Sequence, residues 1–273
     1  MPEIKDENTE KNDSVTEEKA AKSKKQTDGK AEKIAEPAVE KANITWDKYI
    51  FPKIHPDGWR FVAIAAAISL ILFFICEELG FLGLLVTVFI FYFFRDPERH
   101  TPIDENLVIA PADGLVSAIG KYAPPSELGM GDEPVTRISI FLSLFNVHIN
   151  RIPASGKIDK LVYVPGKFFN ASLDKASTDN ERQLVKMTTS YKDMPMAFSQ
   201  IAGLVARRIL CDLKEGEKVK SGEKFGLVRF GSRMDIYLPK GIEPLVVCGQ
   251  EAVGGETVLA DLSVKTARKG EVR

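Results

Sequence analysis

Three side chains in the sequence have the types needed for a nucleophile, a base and a group that orients the base. They are Ser232, His148 and Asp113. In a serine relay the carboxylate orients an imidazole, and the imidazole takes the proton of the hydroxyl that attacks a carbonyl. Each of the three also has an ordinary role, because Gly-Ser and Asp-Gly pairs are common in turns and a single histidine is weakly specific. The set therefore indicates acyl chemistry only where the fold brings its members together.

The position of Ser232 favours attack within the chain itself. It follows Gly231 between two strand-like runs, Leu227–Phe230 and Met234–Leu238, and no G-x-S-x-G motif surrounds it. A serine inside a β run is poorly placed to reach an outside peptide, but it can reach the carbonyl of the residue before it. Gly231 has no Cβ, so it admits the strained backbone that such an attack needs.

The elements that must position these residues are short strands. Arg137–Leu142 alternates apolar and polar residues, with only Phe141 breaking the polar face, and His148 follows it in LFNVHINRIP. Asp113 lies in PADG, a turn between two apolar runs. The other strand-like runs are Leu107–Ala110, Leu115–Ile119, Ile158–Val164, Leu184–Tyr191, Ile201–Leu210, Leu245–Val247 and Thr257–Leu262. Short runs at this spacing predict a mostly β (α+β) soluble domain over residues 100–273.

An apolar block from Phe61 to Phe94 precedes this domain. Glu77 and Glu78 interrupt it, and each half holds about 15 residues, or about 23 Å of helix, against about 30 Å of bilayer hydrocarbon. Basic residues flank both outer ends, so the positive-inside tendency predicts a membrane-associated helical hairpin over residues 45–99 with both ends in the cytoplasm. Its length leaves open whether it crosses the bilayer or re-enters, and a helical pair buried in a soluble core is the alternative.

Residues 1–44 form a charged tail. They are mostly Lys, Glu, Asp, Ala and Ser, and no aromatic residue occurs before Trp46. Such a segment buries too little apolar surface to offset its ordering entropy, so we predict that it is disordered. A solvated tail without a specific role and a tether for a partner are both consistent with this composition.

Charge and cysteine content limit the class of protein and its location in the cell. The formal net charge of −1 gives no indication of a nucleic-acid partner. The three cysteines have neither disulfide nor metal-ligand spacing, which favours a reducing compartment and predicts no metal. No cleaved signal peptide is recognisable. Together with the hairpin, these features predict a location on the cytoplasmic face of the cell membrane.

Five stretches in order resemble the short-form phosphatidylserine decarboxylases, pyruvoyl-dependent enzymes related to the archaetidylserine decarboxylases. They are YFFRDPER, APADG, FNVHINRIPASG, PGKFFNASLDKAS followed by NER, and RFGSRMDIYLP. With the hairpin, the resemblance covers the chain from Lys48 to the C-terminus and leaves out the charged tail.

The resemblance implies that the chain cuts itself between Gly231 and Ser232. Attack of Ser232 on the Gly231 carbonyl would give an ester, β-elimination would leave dehydroalanine, and loss of ammonia would leave a pyruvoyl group as covalent cofactor. His148 would be the base, and Asp113 would orient it. The resulting β chain (1–231) and α chain (232–273) would stay together as a heterodimer.

The resemblance also implies the second reaction. The pyruvoyl ketone would form a Schiff base with phosphatidylserine in the membrane, and loss of CO₂ would give phosphatidylethanolamine. His148 is the candidate that returns a proton, but longer members carry two histidines here, whereas Asn150 and Arg151 follow His148 in this chain. Whether one histidine serves both steps therefore stays open, as does phosphatidylserine against archaetidylserine. The candidates for contact with the lipid phosphate and acyl chain are Lys167, Phe168 and Phe169 of the GKFF loop, and an ordinary loop of the β domain is the alternative.

Two other classes of protein are compatible with parts of the sequence. A membrane-anchored serine hydrolase would use Asp113, His148 and Ser232 on other molecules and would keep Ser232 intact. A non-enzymatic module of biotinyl or lipoyl type is suggested by the turn EGEKVKSGEKFG, but it lacks a lipoylatable lysine in the right context and leaves FNVHINRIP unexplained.

Overall fold

The structure is a computed structural model that describes residues 52–171, 176–204, 208–229, 231–264 and 266. The predicted charged tail, residues 1–44, lies outside the described residues, as does the beginning of the predicted hairpin segment.

Two apolar helices form the predicted hairpin. Helix α1 is Pro56–Ile75 and α2 is Glu77–Phe93, with Cys76 in extended conformation between them. The hydroxyls of Ser69 and Thr87 are hydrogen bonded to each other across the pair, 3.0 Å apart. Among the described residues, only α1 is long and apolar enough to cross a membrane, with a mean hydropathy of 2.2 and few buried side chains. A helix that is apolar all round yet exposed is suited to lipid rather than to water.

The rest of the described chain is mostly β, as predicted. The strands are β1 Leu107–Ile109, β2 Gly114–Tyr122, β3 Val135–Leu142, β4 Ile149–Arg151, β5 Gly156–Val164, β6 Arg182–Thr189, β7 Pro195–Ala202, β8 Ile209–Cys211, β9 Lys218–Val219, β10 Lys224–Val228, β11 Ser232–Tyr237, β12 Glu251–Ala252 and β13 Val258–Asp261. A 3-10 helix, Ser126–Leu128, and a four-residue helix α3, Ala176–Asp179, are the other described helices of this domain.

Eight strands form one sheet in the order β12-β2-β3-β11-β7-β6-β5-β9, with antiparallel neighbours. Two smaller sheets, β4-β10-β8 and β1-β13, complete the domain. Strand β11 lies between β3 and β7 in the interior of the large sheet. The strand that begins at the predicted cleavage site is therefore paired on both sides.

Apolar residues pack on both faces of the large sheet. One face carries the main core, which includes Ile140, Phe198 and Met234, and the other carries a smaller cluster that includes Leu184 and Tyr237. The alternation predicted for Arg137–Leu142 is present in β3, but its polar side is buried rather than solvated. A second layer covers that side, so polar residues there must find partners inside the protein.

Two predicted strands are wrong. Ile201–Leu210 is not one strand, because β7 ends at Ala202 and β8 begins at Ile209. Leu245–Val247 is a loop that carries buried apolar side chains into the core, with one isolated bridge at Pro244. In both cases a short apolar run indicates that the segment packs against the core, but it does not indicate whether the backbone is extended.

Candidate active site

The predicted cleavage pair lies at the buried start of β11. Ser232 is completely buried, its backbone is paired with Leu142 and Ala202, and its Oγ has no hydrogen-bond partner among the described residues. Gly231 has φ +78°, a left-handed conformation that glycine adopts without the Cβ penalty of other residues. A buried hydroxyl without a partner among the described residues is costly, so the unpaired Ser232 Oγ requires an explanation in function.

The carbonyl that the reaction would attack is held by a residue that the sequence reasoning missed. The N–H of Gly203 donates to the Gly231 carbonyl oxygen at 3.1 Å. A Cβ at position 203 would lie 2.4 Å from that oxygen, so only glycine permits this approach. The sequence did contain a signal for this contact, because a glycine inside an apparent strand often marks a close approach of another backbone segment. Gly203 stood in the run Ile201–Leu210 that we predicted as one strand.

His148 lies against the same pair. Its Nε2 accepts a hydrogen bond from the Gly231 N–H at 3.3 Å, and its Nδ1 lies 3.0 Å from the Asn146 carbonyl oxygen. Since a carbonyl only accepts, the proton is assigned to Nδ1 and the lone pair to Nε2. Burial lowers the pKa of His148 to about 4, so the imidazole is neutral near pH 7 and can act as a base.

The strand that follows His148 is tied to the large sheet by a buried polar contact. The Gln200 side-chain amide on β7 donates to Asn150 Oδ1 on β4 at 2.8 Å, and to the Leu210 carbonyl on β8 at 3.1 Å. Because Asn150 is two residues from His148, this contact fixes the histidine relative to the β7 end that carries Gly203.

Asp113 lies near His148 without bonding to its ring. Its carboxylate accepts from the Arg99 guanidinium at 2.7 and 3.0 Å and from the Gly254 N–H at 2.8 Å. Burial raises the pKa of Asp113, while Arg99 and the backbone N–H groups of Gly254 and Val147 oppose that rise. In this structure the Asn146 carbonyl, and not Asp113, contacts His148 Nδ1. An orienting role for Asp113 stays a prediction, and it would act through the Val147 backbone.

A buried group of charges anchors the segment after the GKFF loop to β11. Arg233 donates to the Ala171 carbonyl at 2.9 Å and to the Ser177 hydroxyl, and its Nε lies 2.9 Å from Asp235 Oδ1. The Ser177 hydroxyl donates to Asp235 Oδ2 at 2.8 Å. This group could not be predicted from the sequence, because isolated charges in a strand pattern usually face water.

The predicted lipid-contact residues lie on a loop joined to the site. Asn180 accepts from the Phe169 N–H at 3.0 Å and donates to the carbonyls of Phe169 and Ala202 at 2.8 and 2.7 Å. The Lys167 ammonium lies 5.5 Å from the centre of the Phe169 ring, and Phe168 is exposed. Asn180 therefore links this loop to the residue that precedes Gly203.

The base of the hairpin contacts the site at two places. The Phe93 ring at the end of α2 packs on the His148 ring, with centroids 4.3 Å apart. Asp57, at the start of α1, pairs with Arg229 at 2.9 Å, two residues before Gly231. The two helices therefore contact His148 and Arg229, which lie next to the Gly-Ser pair.

Comparison with known proteins identifies the family. Residues 86–260 match the phosphatidylserine decarboxylase family. A phosphatidylserine decarboxylase proenzyme of Paramagnetospirillum magneticum is 54% identical over 237 residues, which are 86% of this chain and 98% of the relative. Proenzymes of the same name from Cereibacter sphaeroides and Rickettsia akari are 56% and 55% identical over 216 residues, 79% of this chain and 93% of each relative.

The site brings together the Gly231-Ser232 pair, with Ser232 fully buried, and the imidazole of His148. The chain belongs to the phosphatidylserine decarboxylase family, whose members are pyruvoyl-dependent carboxy-lyases made as proenzymes. The resemblance inferred from the five sequence stretches is thereby confirmed. The comparisons do not support the serine hydrolase alternative.

Proposed function

We propose that this chain cuts itself between Gly231 and Ser232 and then converts phosphatidylserine to phosphatidylethanolamine. The observation that carries the proposal is the fully buried Ser232 hydroxyl, which has no hydrogen-bond partner in the described part of the chain and follows a carbonyl held by the Gly203 N–H. In the uncut chain a completely buried hydroxyl is poorly placed to attack an external ester or peptide, whereas the carbonyl of the preceding residue is adjacent to it in the same chain.

In the first step the neutral His148 Nε2 takes the Ser232 hydroxyl proton as Oγ attacks the Gly231 carbonyl carbon. Negative charge then develops on the carbonyl oxygen, where the Gly203 N–H already donates at 3.1 Å. The C–N bond breaks, and His148 returns the proton to the Ser232 nitrogen. The product is an ester that joins the two residues through Oγ.

In the second step His148 takes the α-proton of residue 232, and the Cβ–Oγ bond breaks with its electrons leaving on the Gly231 carboxylate. Hydrolysis of the resulting dehydroalanine releases ammonia and leaves a pyruvoyl group at the start of the α chain. A pyruvoyl group is compatible with position 232, because Ser232 Oγ makes no hydrogen bond to the described residues that its loss would break. The pyruvoyl group supplies an electron-withdrawing ketone that binds an amine and absorbs the electrons released with CO₂.

Other residues of the chain would serve the lipid reaction. His148, fixed by Asn146 and Phe93, is the group placed to return a proton to the substrate carbon. Lys167 supplies a positive charge for the phosphate, and Phe168 offers apolar surface to an acyl chain. Their loop is joined through Asn180 to Ala202, next to Gly203.

The fold supports the proposed division of the chain. The hairpin, residues 45–99, would hold residues 100–273 at the cytoplasmic face of the membrane, where the phospholipid lies. The β and α chains would remain a heterodimer, since β11 of the α chain pairs with β3 and β7 of the β chain. Neither pairing involves the bond that is cut.

Electrophoresis and intact mass of the purified full-length protein test the proposal. We expect two fragments, 1–231 and 232–273, the shorter with a pyruvoyl mass and no free amine. Ser232→Ala should stay whole and inactive, whereas Ser199→Ala, also at a buried serine on a neighbouring strand, should be cleaved. A whole Ser199→Ala chain, or full decarboxylation by whole Ser232→Ala protein, would contradict the mechanism.

A further inference from the structure

The loop between β3 and β4, residues 143–148, exposes two adjacent apolar side chains. Phe145 is 68% exposed and Leu144 is 39% exposed. The ends of the loop are fixed, because the Ser143 N–H donates to Asn146 Oδ1 at 2.8 Å. A rigid loop that holds an aromatic ring outward needs an apolar partner outside the protein.

The exposed ring lies beside the hairpin. Phe145 and Phe89 of α2 form an edge-to-face pair with centroids 6.0 Å apart. The Phe145 carbonyl accepts from Arg95 Nη2 at 2.6 Å. Phe89 precedes Phe93, the last residue of α2, by about 6 Å along the helix axis, and Arg95 lies beyond that end. The Phe145 ring therefore lies closer to the tip of the hairpin than Arg95, which donates to the Phe145 carbonyl.

Arg95 and Tyr92 mark the depth of this contact. The Arg95 guanidinium lies 3.8 Å from the centre of the Tyr92 ring, at the end of the apolar helix. A cation and a tyrosine at such an end occupy the headgroup level of a bilayer. With the hairpin in a membrane, Phe89 would lie one turn deeper, at the level of the acyl chains, and the Phe145 ring contacts Phe89. The hydrogen bond from Arg95 also gives the Phe145 carbonyl a partner. A backbone carbonyl in an apolar medium needs such a partner, because no water is available there.

We propose that Leu144 and Phe145 insert into the lipid bilayer beside the hairpin. The inference rests on the proposed membrane location and commits to acyl chains as the occupant, because the surface is continuous with an apolar helix. His148 follows three residues after Phe145. Insertion therefore fixes the catalytic histidine at the headgroup level, and the substrate reaches Ser232 without leaving the bilayer.

Fluorescence quenching tests the insertion directly. Phe145→Trp, in a chain with Trp46→Phe and Trp59→Phe, is placed in phosphatidylcholine vesicles whose acyl chains carry bromine at different depths. We expect strong quenching, greatest for bromine near the top of the chain. The control is Tyr191→Trp in the turn between β6 and β7, at the opposite end of the strands, which should not be quenched. Equal quenching at both positions would overturn the proposal.

A second measurement separates insertion from a role in the chemistry. Phe145→Ser should be cleaved normally and keep its rate on a water-soluble, short-chain phosphatidylserine, but lose rate several-fold on phosphatidylserine in vesicles. Equal losses on both substrates would refute the proposal, because they would place Phe145 in the site itself. Quenching requires no catalysis, so failure of the decarboxylase proposal would be seen separately as a whole, inactive chain.

Discussion

Replacing Gly203 with alanine places a methyl group against the carbonyl that the cleavage attacks. The new Cβ would lie 2.4 Å from the Gly231 oxygen and 3.0 Å from its carbon. Carbon and oxygen do not approach so closely, so the two backbones must separate by about 0.6 Å or more. That shift lengthens the 3.1 Å hydrogen bond from the Gly203 N–H beyond useful range.

Loss of one donor to a developing oxyanion slows a reaction by about 10²–10³, or about 2.7–4 kcal/mol. Crowding in a packed interior costs about 1–3 kcal/mol of stability. The register between β7 and β11 from Ser232 to Tyr237 lies beyond the clash, so the fold should survive. We therefore expect folded Gly203→Ala protein that is cleaved at least about a hundredfold more slowly.

The assay follows the whole chain and its fragments by electrophoresis after synthesis, with thermal unfolding measured on the same samples. Gly241→Ala is the control, because nothing lies within 4 Å of a Cβ added at Gly241, although Gly241, unlike Gly203, has positive φ. It should lose about 1 kcal/mol of stability and keep its cleavage rate. Cleavage of Gly203→Ala at the parent rate would refute the role of this N–H group.

The remaining predictions concern His148, Asp113, Asp57 and the attachment of the hairpin to the membrane. His148→Ala should leave the chain whole, and a normal rate of cleavage in that variant would assign the base to another group. The cleavage rate of the parent should fall as pH drops toward about 4, the pKa of buried His148, so a fall centred on the ordinary 6.5 would contradict its burial. Unfolding free energy should also fall between pH 6.5 and 4, where the unfolded chain binds a proton at this histidine and the folded chain does not. Asp113→Asn should slow cleavage less than His148→Ala does, because the Asp113 carboxylate contacts Arg99 rather than the imidazole. Equal losses of rate in electrophoretic time courses would indicate a direct contact between Asp113 and His148. Asp57→Asn should weaken the 2.9 Å contact with Arg229 and slow cleavage in the membrane-bound protein, with unchanged rates as the opposing result. The full-length protein should stay on membranes through high-salt and carbonate washing, with or without residues 1–44, and release by salt would refute an apolar anchor.

The sequence predicted those parts of the site that depend on side-chain type and local pattern. Ser232 after Gly231 and His148 after β3 could be found because a nucleophile and a base must have particular side chains. The mostly β class and the paired apolar helices followed from periodicity and from the acidic interruption at Glu77 and Glu78. The structure places both the pair and the histidine at one end of the large sheet.

The missing parts are contacts made by backbone groups from distant segments. Gly203 donates through its N–H, and Asn146 fixes the His148 tautomer through its carbonyl, so neither contact has a characteristic side chain. Asp113 is the kind of residue expected to orient a histidine, but its carboxylate is hydrogen bonded to Arg99 instead. A sequence shows which groups are capable of a relay, whereas pairing among several candidates depends on three-dimensional neighbours.

The central position of β11 has a consequence for how the mature protein can be handled. The uncut chain folds with this strand tethered to its neighbours, so pairing with β3 and β7 is an intramolecular event. After cutting, the two polypeptides have no covalent link across that bond, and reassembly after complete unfolding becomes bimolecular and dependent on concentration. Loss of the mature structure in denaturant should then be effectively irreversible when dilute, and the enzyme's lifetime would be set by the rate of unfolding rather than by an equilibrium.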